Sequence, residues 1–160
     1  MTIIQINLTV NDHPYTLSTL ANRTLLEILR EDLGLTGVKD ACGGEGECGA
    51  CTVIMDGAPV NSCLVLIGQT DGCHIETIEG LSNNGKPHPL QKAFVEVGAV
   101  QCGYCTPGVI MTSKALLEKN PDPNDAEIRE ALAGNLCRCT GYSKMLVAVH
   151  QAAEEMSHER

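Results

Sequence analysis

The sequence has no tryptophan, one phenylalanine and three tyrosines. It therefore lacks the aromatic side chains that commonly line small-molecule pockets, which argues against a substrate site of its own. A basic face is missing too. Eleven lysines and arginines stand against twenty aspartates and glutamates, a formal net charge of −9, and the cations form no cluster. Nucleic acid, whose phosphates demand a basic surface, is not an expected partner. No apolar run approaches the ~18 residues of a membrane span; none is longer than Cys63-Leu-Val-Leu-Ile67. The opening, Met1-Thr-Ile-Ile-Gln5, has neither the basic nor the apolar segment of an export signal, so a cytoplasmic localisation is expected.

Cysteine, by contrast, is plentiful, with nine in 160 residues. A chain of this length can bury a core without disulfide staples. Thiols in short-spaced groups, in a chain without a secretory signal, point to metal or redox chemistry rather than to bridges. Eight of them form two groups. Cys42, Cys48, Cys51 and Cys63 are spaced C-x5-C-x2-C-x11-C, and Cys102, Cys105, Cys137 and Cys139 are spaced C-x2-C-x31-C-x1-C. Cys73 stands outside both and reads as a free, structural thiol that packs like a small apolar residue.

The two groups lie in differently patterned halves. In the first, Ile4, Ile6, Leu8 and Val10 alternate with Gln5, Asn7 and Thr9, the signature of a half-buried strand. Asn11-Asp-His-Pro14 reads as a hairpin turn into Tyr15-Thr-Leu17. A capping box, Thr24-x-x-Glu27, opens an apolar-faced helix through Leu33, with Gly34 as its left-handed stop. A short strand, Thr52–Met55, leads into the tight turn Asp56-Gly57, and Ile75–Ile78 is expected as the last strand. Turn formers from Gly80 to Pro87 then mark a boundary, after which the spacing becomes helical. Helices are expected at about 88–97, 106–119, 125–133 and 143–155, the third opened by the capping box Asn124-x-x-Glu127. Val109, Ile110, Leu116, Leu117, Met145, Leu146 and Val149 read as helical core. The fold class expected is thus α+β, a small sheet on one helix followed by a helical bundle, with four thiols in each half.

The residues around the thiols bear on which metal they hold. Zinc needs only a tetrahedron, whereas a [2Fe-2S] group needs two thiolates on each of two irons and hydrogen-bond donors around an anionic centre. In Cys42-Gly-Gly-Glu-Gly-Glu-Cys48-Gly-Ala-Cys51 the glycines let backbone N–H groups turn toward sulfur. The spacing is close to the plant-type ferredoxin pattern C-x4-C-x2-C, with one extra residue in the first gap. Cys137-Arg-Cys139 is too tight for the usual zinc knuckle. His13, His74, His88, His150 and His158 show no C-x-H pairing of the Rieske kind and read as surface or turn residues.

Three blocks carry a resemblance: Gly37-Val-Lys-Asp-Ala-Cys-Gly-Gly-Glu-Gly-Glu-Cys-Gly-Ala-Cys-Thr52, Gln101-Cys-Gly-Tyr-Cys-Thr-Pro-Gly108 and Gly134-Asn-Leu-Cys-Arg-Cys-Thr-Gly-Tyr142. In their order and spacing they resemble the small iron–sulfur subunit of the xanthine oxidase, or molybdenum hydroxylase, family. The resemblance implies a β-grasp, plant-type ferredoxin-like domain over residues 1–78, a linker at 79–88, and a four-helix bundle domain over 89–160. It implies one [2Fe-2S] cluster on Cys42, Cys48, Cys51 and Cys63 and a second on Cys102, Cys105, Cys137 and Cys139. It further implies a large catalytic subunit that binds molybdopterin, a medium subunit that binds FAD, and single electrons relayed between them during oxidative hydroxylation of an N-heterocycle or an aldehyde. Gln101 and Cys139 would contact the pterin across the subunit interface; taken alone, Gln101 is an ordinary exposed amide or helix cap. Arg138 either offsets the charge of its cluster or is a solvated or salt-bridging side chain. With separate subunits, a dimer of heterotrimers is the expected assembly. Two other readings stand beside this one: a stand-alone ferredoxin, which would need only the first half, and a zinc-stapled interaction module without redox function.

Overall fold

The computed structural model describes residues 2–158; the outer limits of the expected domains, Met1 and Arg160, lie outside the described residues. Strand β1 (Ile3–Val10) buries Ile6, Leu8 and Val10 and leaves Gln5 and Asn7 exposed. Asn11 and Asp12 both take left-handed backbone, φ 49 and 65, the requirement of a two-residue hairpin turn. Strand β2 (His13–Leu20) returns antiparallel. The return begins at His13, so Pro14 belongs to the strand and not to the turn. It is tolerated there because β2 is an edge of the sheet.

The expected capping box forms: the Glu27 N–H donates to Thr24 Oγ1 at 3.2 Å, and the Thr24 N–H donates to Glu27 Oε2 at 2.6 Å. It opens α1 (Leu25–Glu27), which widens at once into a π-helical turn over Ile28–Asp32, with the Leu33 N–H reaching the Ile28 carbonyl. Leu25, Leu26, Ile28 and Leu29 are all buried with Ile6, Leu8, Val10, Val53, Ile67 and Ile75. Gly34 ends the helix at φ 70.

Strands β3 (Thr52–Met55) and β4 (Ala58–Asn61) form a second hairpin about Asp56-Gly57. Strand β5 (His74–Glu76) lies parallel to β1 and antiparallel to β3, giving the sheet order β2-β1-β5-β3-β4. The last strand starts one residue earlier than its alternation suggests and does not reach Ile78. Asn11 is the reason: its Oδ1 accepts the Thr77 N–H at 2.8 Å and its Nδ2 donates to Thr77 Oγ1 at 2.9 Å. The chain then leaves the sheet in a 3-10 turn over Ile78–Gly80.

Four helices follow: α2 (Pro89–Glu96), α3 (Thr106–Lys119), α4 (Asp125–Ala131) and α5 (Ser143–His158). Helix α2 packs on α5 and α3, α4 packs on α3 and α5, and α3 also lies on β3 and β4. Phe94, Met111, Leu117, Ile128 and Met145 fill the helical core, which Ile54 of β3 joins from the sheet. His88 is more than a surface residue, since its Nδ1 accepts the Leu90 N–H and caps α2. The chain is an α+β protein whose two cores meet along α3. Among the described residues no helix is long and apolar enough to cross a membrane.

Candidate metal centres

In the first half the loop between the π turn and β3 carries Cys42, Cys48 and Cys51, and the 3-10 turn Ser62–Leu64 brings up Cys63. Cys42 and Cys48 place their sulfurs 3.4 Å apart, and Cys51 and Cys63 also lie 3.4 Å apart. In the second half Cys102 and Cys139 are 3.7 Å apart, and Cys137 Sγ lies 3.1 Å from Thr140 Oγ1. Six of the eight expected thiols thus stand in twos, two pairs in the first half and one in the second.

That pairing tests what the thiols fit. Two thiolates on one tetrahedral ion, at a metal–sulfur distance of ~2.3 Å, stand about 3.8 Å apart, near the separations seen. A zinc site would bring all four sulfurs to one point, yet among the described residues no three His, Cys, Asp or Glu side chains converge as ligands of one ion. Thiols standing in twos suit the two thiolates that each iron of a [2Fe-2S] group takes.

The surroundings suit an anionic group. Cys42 is pulled down to about 7, first by the thiol of Cys48 and then by the backbone N–H groups of Glu47, Cys48 and Glu45. Burial is the largest influence on Cys137 and pushes it up, but the Thr140 hydroxyl, the N–H groups of Thr140 and Cys139 and the Cys105 thiol together bring it down to about 7. Cys63 and Cys105 are pushed up to about 12, each chiefly by burial and next by its paired thiol. Each half therefore joins an easily ionised thiol to one that ionises only when a metal displaces its proton. Cys105 also stands at the N-cap position of the fourteen-residue α3, without a capping hydrogen bond from its side chain.

The loops are held by side chains that the cysteine pattern did not single out. Asp40 Oδ1 accepts the Gly43 and Gly44 N–H groups at 2.9 and 3.2 Å. The Tyr142 hydroxyl accepts the Cys137 N–H at 2.7 Å and donates to the Asn135 carbonyl at 3.0 Å, with Tyr142 itself at φ 65. Asn135, only 3% exposed, donates through Nδ2 to the Gly49 carbonyl at 2.9 Å. Their one sequence signal was membership of the blocks around the thiols. Gln101 donates through Nε2 to the Cys139 carbonyl at 3.0 Å, so the two expected pterin contacts touch each other, and both are exposed. Arg138 is exposed as well. Cys73 is half-buried against the first core, and burial together with the Asp56 carboxylate holds its thiol protonated.

The two groups of thiols meet main chain to main chain. The Leu136 N–H donates to the Cys48 carbonyl at 2.9 Å, so one hydrogen bond separates ligand-bearing segments of the two halves. A Cβ on Gly108 would lie 2.2 Å from the Gly49 carbonyl oxygen, and one on Gly49 would lie 2.3 Å from that of Gly134. No side chain fits between the loops.

Paired thiols in two cradles, joined by backbone, define an iron–sulfur protein with two centres. Residues 8–72 match the family model of the 2Fe-2S iron-sulfur cluster binding domain, and residues 77–150 match that of the [2Fe-2S] binding domain. The nicotinate dehydrogenase small FeS subunit of Eubacterium barkeri is 56% identical over 99% of this chain and 100% of its own length. The xanthine dehydrogenase iron-sulfur-binding subunit of Escherichia coli O157:H7 is 47% identical, over 91% and 92%. A chain of quinoline 2-oxidoreductase from Pseudomonas putida 86 superposes with a TM-score of 0.94 at 42% identity, covering 99% of this chain and 98% of that one. The chain belongs to the family of small [2Fe-2S] subunits of the molybdenum hydroxylases. It carries two [2Fe-2S] clusters and serves as the electron-transfer subunit, not the catalytic one, of such an oxidoreductase.

Proposed function

We propose that Cys42, Cys48, Cys51 and Cys63 hold one cluster and Cys102, Cys105, Cys137 and Cys139 the other, with one-electron transfer as the chemistry each supplies. The observation that carries this assignment is the pairing of sulfurs at 3.4 to 3.7 Å, Cys42 with Cys48, Cys51 with Cys63 and Cys102 with Cys139, within two hydrogen-bonded loops. The finer architecture we assign is a β-grasp ferredoxin-like domain over 1–78, a linker at 79–88 and a four-helix bundle over 89–160. The sheet order, with β1 and β5 parallel at its centre, and the four mutually packed helices support it.

The exposure of the thiols gives the relay a direction. Cys102 and Cys139 are exposed beside Gln101, whereas Cys48, Cys51 and Cys63 are buried and Cys42 is half-buried. Electrons enter where Gln101 and Cys139 meet the pterin of the large subunit. They cross at the Cys48–Leu136 hydrogen bond and leave near Cys42 toward the FAD of the medium subunit. The three chains assemble as a dimer of heterotrimers in the cytoplasm. The substrate, bound by the large subunit, is an N-heterocycle or an aldehyde; relatives named for nicotinate, nicotine and quinoline support the first class, and aldehyde oxidoreductases support the second.

Anaerobic purification with iron and sulfide analysis, followed by EPR after partial dithionite reduction, tests the reading. About four irons per chain and two distinct [2Fe-2S] signals are expected. Zinc without acid-labile sulfide, or a single signal, would overturn it. Co-purification with two larger chains, one bearing molybdenum and one flavin, checks the partners.

A further inference from the structure

We infer that Tyr104, which lies between two thiols of the helical half, is a positioning residue for the cluster of the other half. The inference rests on the two-cluster reading above and adds a role within it. Tyr104 sits in Cys102-Gly-Tyr-Cys105, but its hydroxyl does not turn back on that loop. It donates to the backbone carbonyl of Asp40 at 2.5 Å, across the junction between the two halves.

Asp40 is the residue on which the first thiol loop closes. Its carboxylate gathers the Gly43 and Gly44 N–H groups and so folds the chain tightly around Cys42, at the head of the glycine-rich loop that leads to Cys48. The approach to this turn is tied down within its own half. Arg30 donates to the carbonyls of Thr36 and Val38, and the Lys39 N–H donates to the Ala50 carbonyl at 3.2 Å. The carbonyl of the following residue, Asp40, is taken by Tyr104. The last anchor before the N–H cradle is therefore lent by the partner domain.

Hydrogen bonds to the ligand sulfurs stabilise the more negative, reduced state of a cluster and so raise its potential. Removing the Tyr104 hydroxyl frees the Asp40 carbonyl, slackens the turn and weakens those bonds. The ring of Tyr104 and the loop carrying Cys102 and Cys105 stay in place in a Tyr104→Phe variant. Because the bond is partly open to solvent, the loss is modest: the electron's partition between the two clusters should move about threefold away from the ferredoxin-domain cluster.

The test is a redox titration of the purified complex, wild type and Tyr104→Phe, followed by EPR of each cluster after iron and sulfide have been quantified. The expected result is unchanged iron content, an unmoved helical-domain signal and a lowered potential for the ferredoxin-domain cluster. Asp40→Ala, which removes the cap on Gly43 and Gly44 while sparing the Tyr104 ring, should move the same cluster the same way. Unchanged partition in Tyr104→Phe, whatever Asp40→Ala does, or a shift borne by the helical-domain cluster, would overturn the inference and leave the two-cluster reading intact. Failure of the wild type to show two signals would overturn that reading, and the inference with it.

Discussion

A methyl group at position 108 would lie 2.2 Å from the Gly49 carbonyl oxygen, and neither partner can yield, since one is an α-helix and the other a thiol loop. Alanine is the better helix former by up to ~1 kcal/mol, but the overlap outweighs that gain. Gly108→Ala is expected to destabilise the holoprotein by about 2–3 kcal/mol in urea unfolding. Gly134 has open space where its Cβ would be, so Gly134→Ala should stay within ~0.5 kcal/mol of wild type. Equal effects at the two sites would mean that close approach at Gly49 is not what holds the halves together. The sequence marks both glycines only as members of motif blocks. Which of them lacks room is decided by a carbonyl from the other half, and no local pattern reports that.

The two capping boxes expected from the sequence, at Thr24 and Asn124, both form. Thr24→Ala removes the acceptor of the Glu27 N–H at the head of a single α-turn; Asn124→Ala removes the acceptor of the Ala126 and Glu127 N–H groups on α4. Each should cost about 1 kcal/mol by thermal or urea unfolding, with Thr24→Ser close to neutral. A loss at Thr24 far above that value would show that the cap also holds the π-helical turn behind it. At this scale the sequence is informative, because caps and helical periodicity are local. Helix α3 falls on residues 106–119, as its spacing predicts. Strand β4 escapes notice because Ala58-Pro59-Val60-Asn61 is short, half exposed and interrupted by proline, an edge strand defined by its pairing partner alone. The overlong reading of β5 fails for a similar reason, since Asn11 takes up Thr77 from far along the chain.

The halves are tied together by charge as well as by backbone. Lys114 on α3, with its side chain 11% exposed, pairs with Glu76 on β5 at 2.9 Å and with Glu118 one helical turn on. Burial acts to lower its pKa, but Glu118 and Glu76 together outweigh it, and the net shift is upward from 10.5. A group whose pKa is higher in the folded state stabilises the fold at all pH values below its unfolded pKa, and that contribution is lost as pH rises through the folded one. Lys114→Met should therefore cost about 1–3 kcal/mol at pH ~7 and progressively less as pH rises beyond 10.5, read as urea midpoints. A deficit that persisted at alkaline pH would assign the effect to packing. The thiol groups and the acidic balance of the chain are visible from sequence, whereas this junction is built from residues whose separation along the chain hides their contact. The bare contact of Gly49 with Gly108 bears on kinetics too. Two loops in main-chain contact have no hinge to swing and no side chain to slide, so solvent friction finds nothing to act upon. Electron passage between the halves should run as fast in concentrated sucrose as in dilute buffer when followed by rapid-mixing reduction, and slowing in proportion to viscosity would mean that the halves part and close at every turnover.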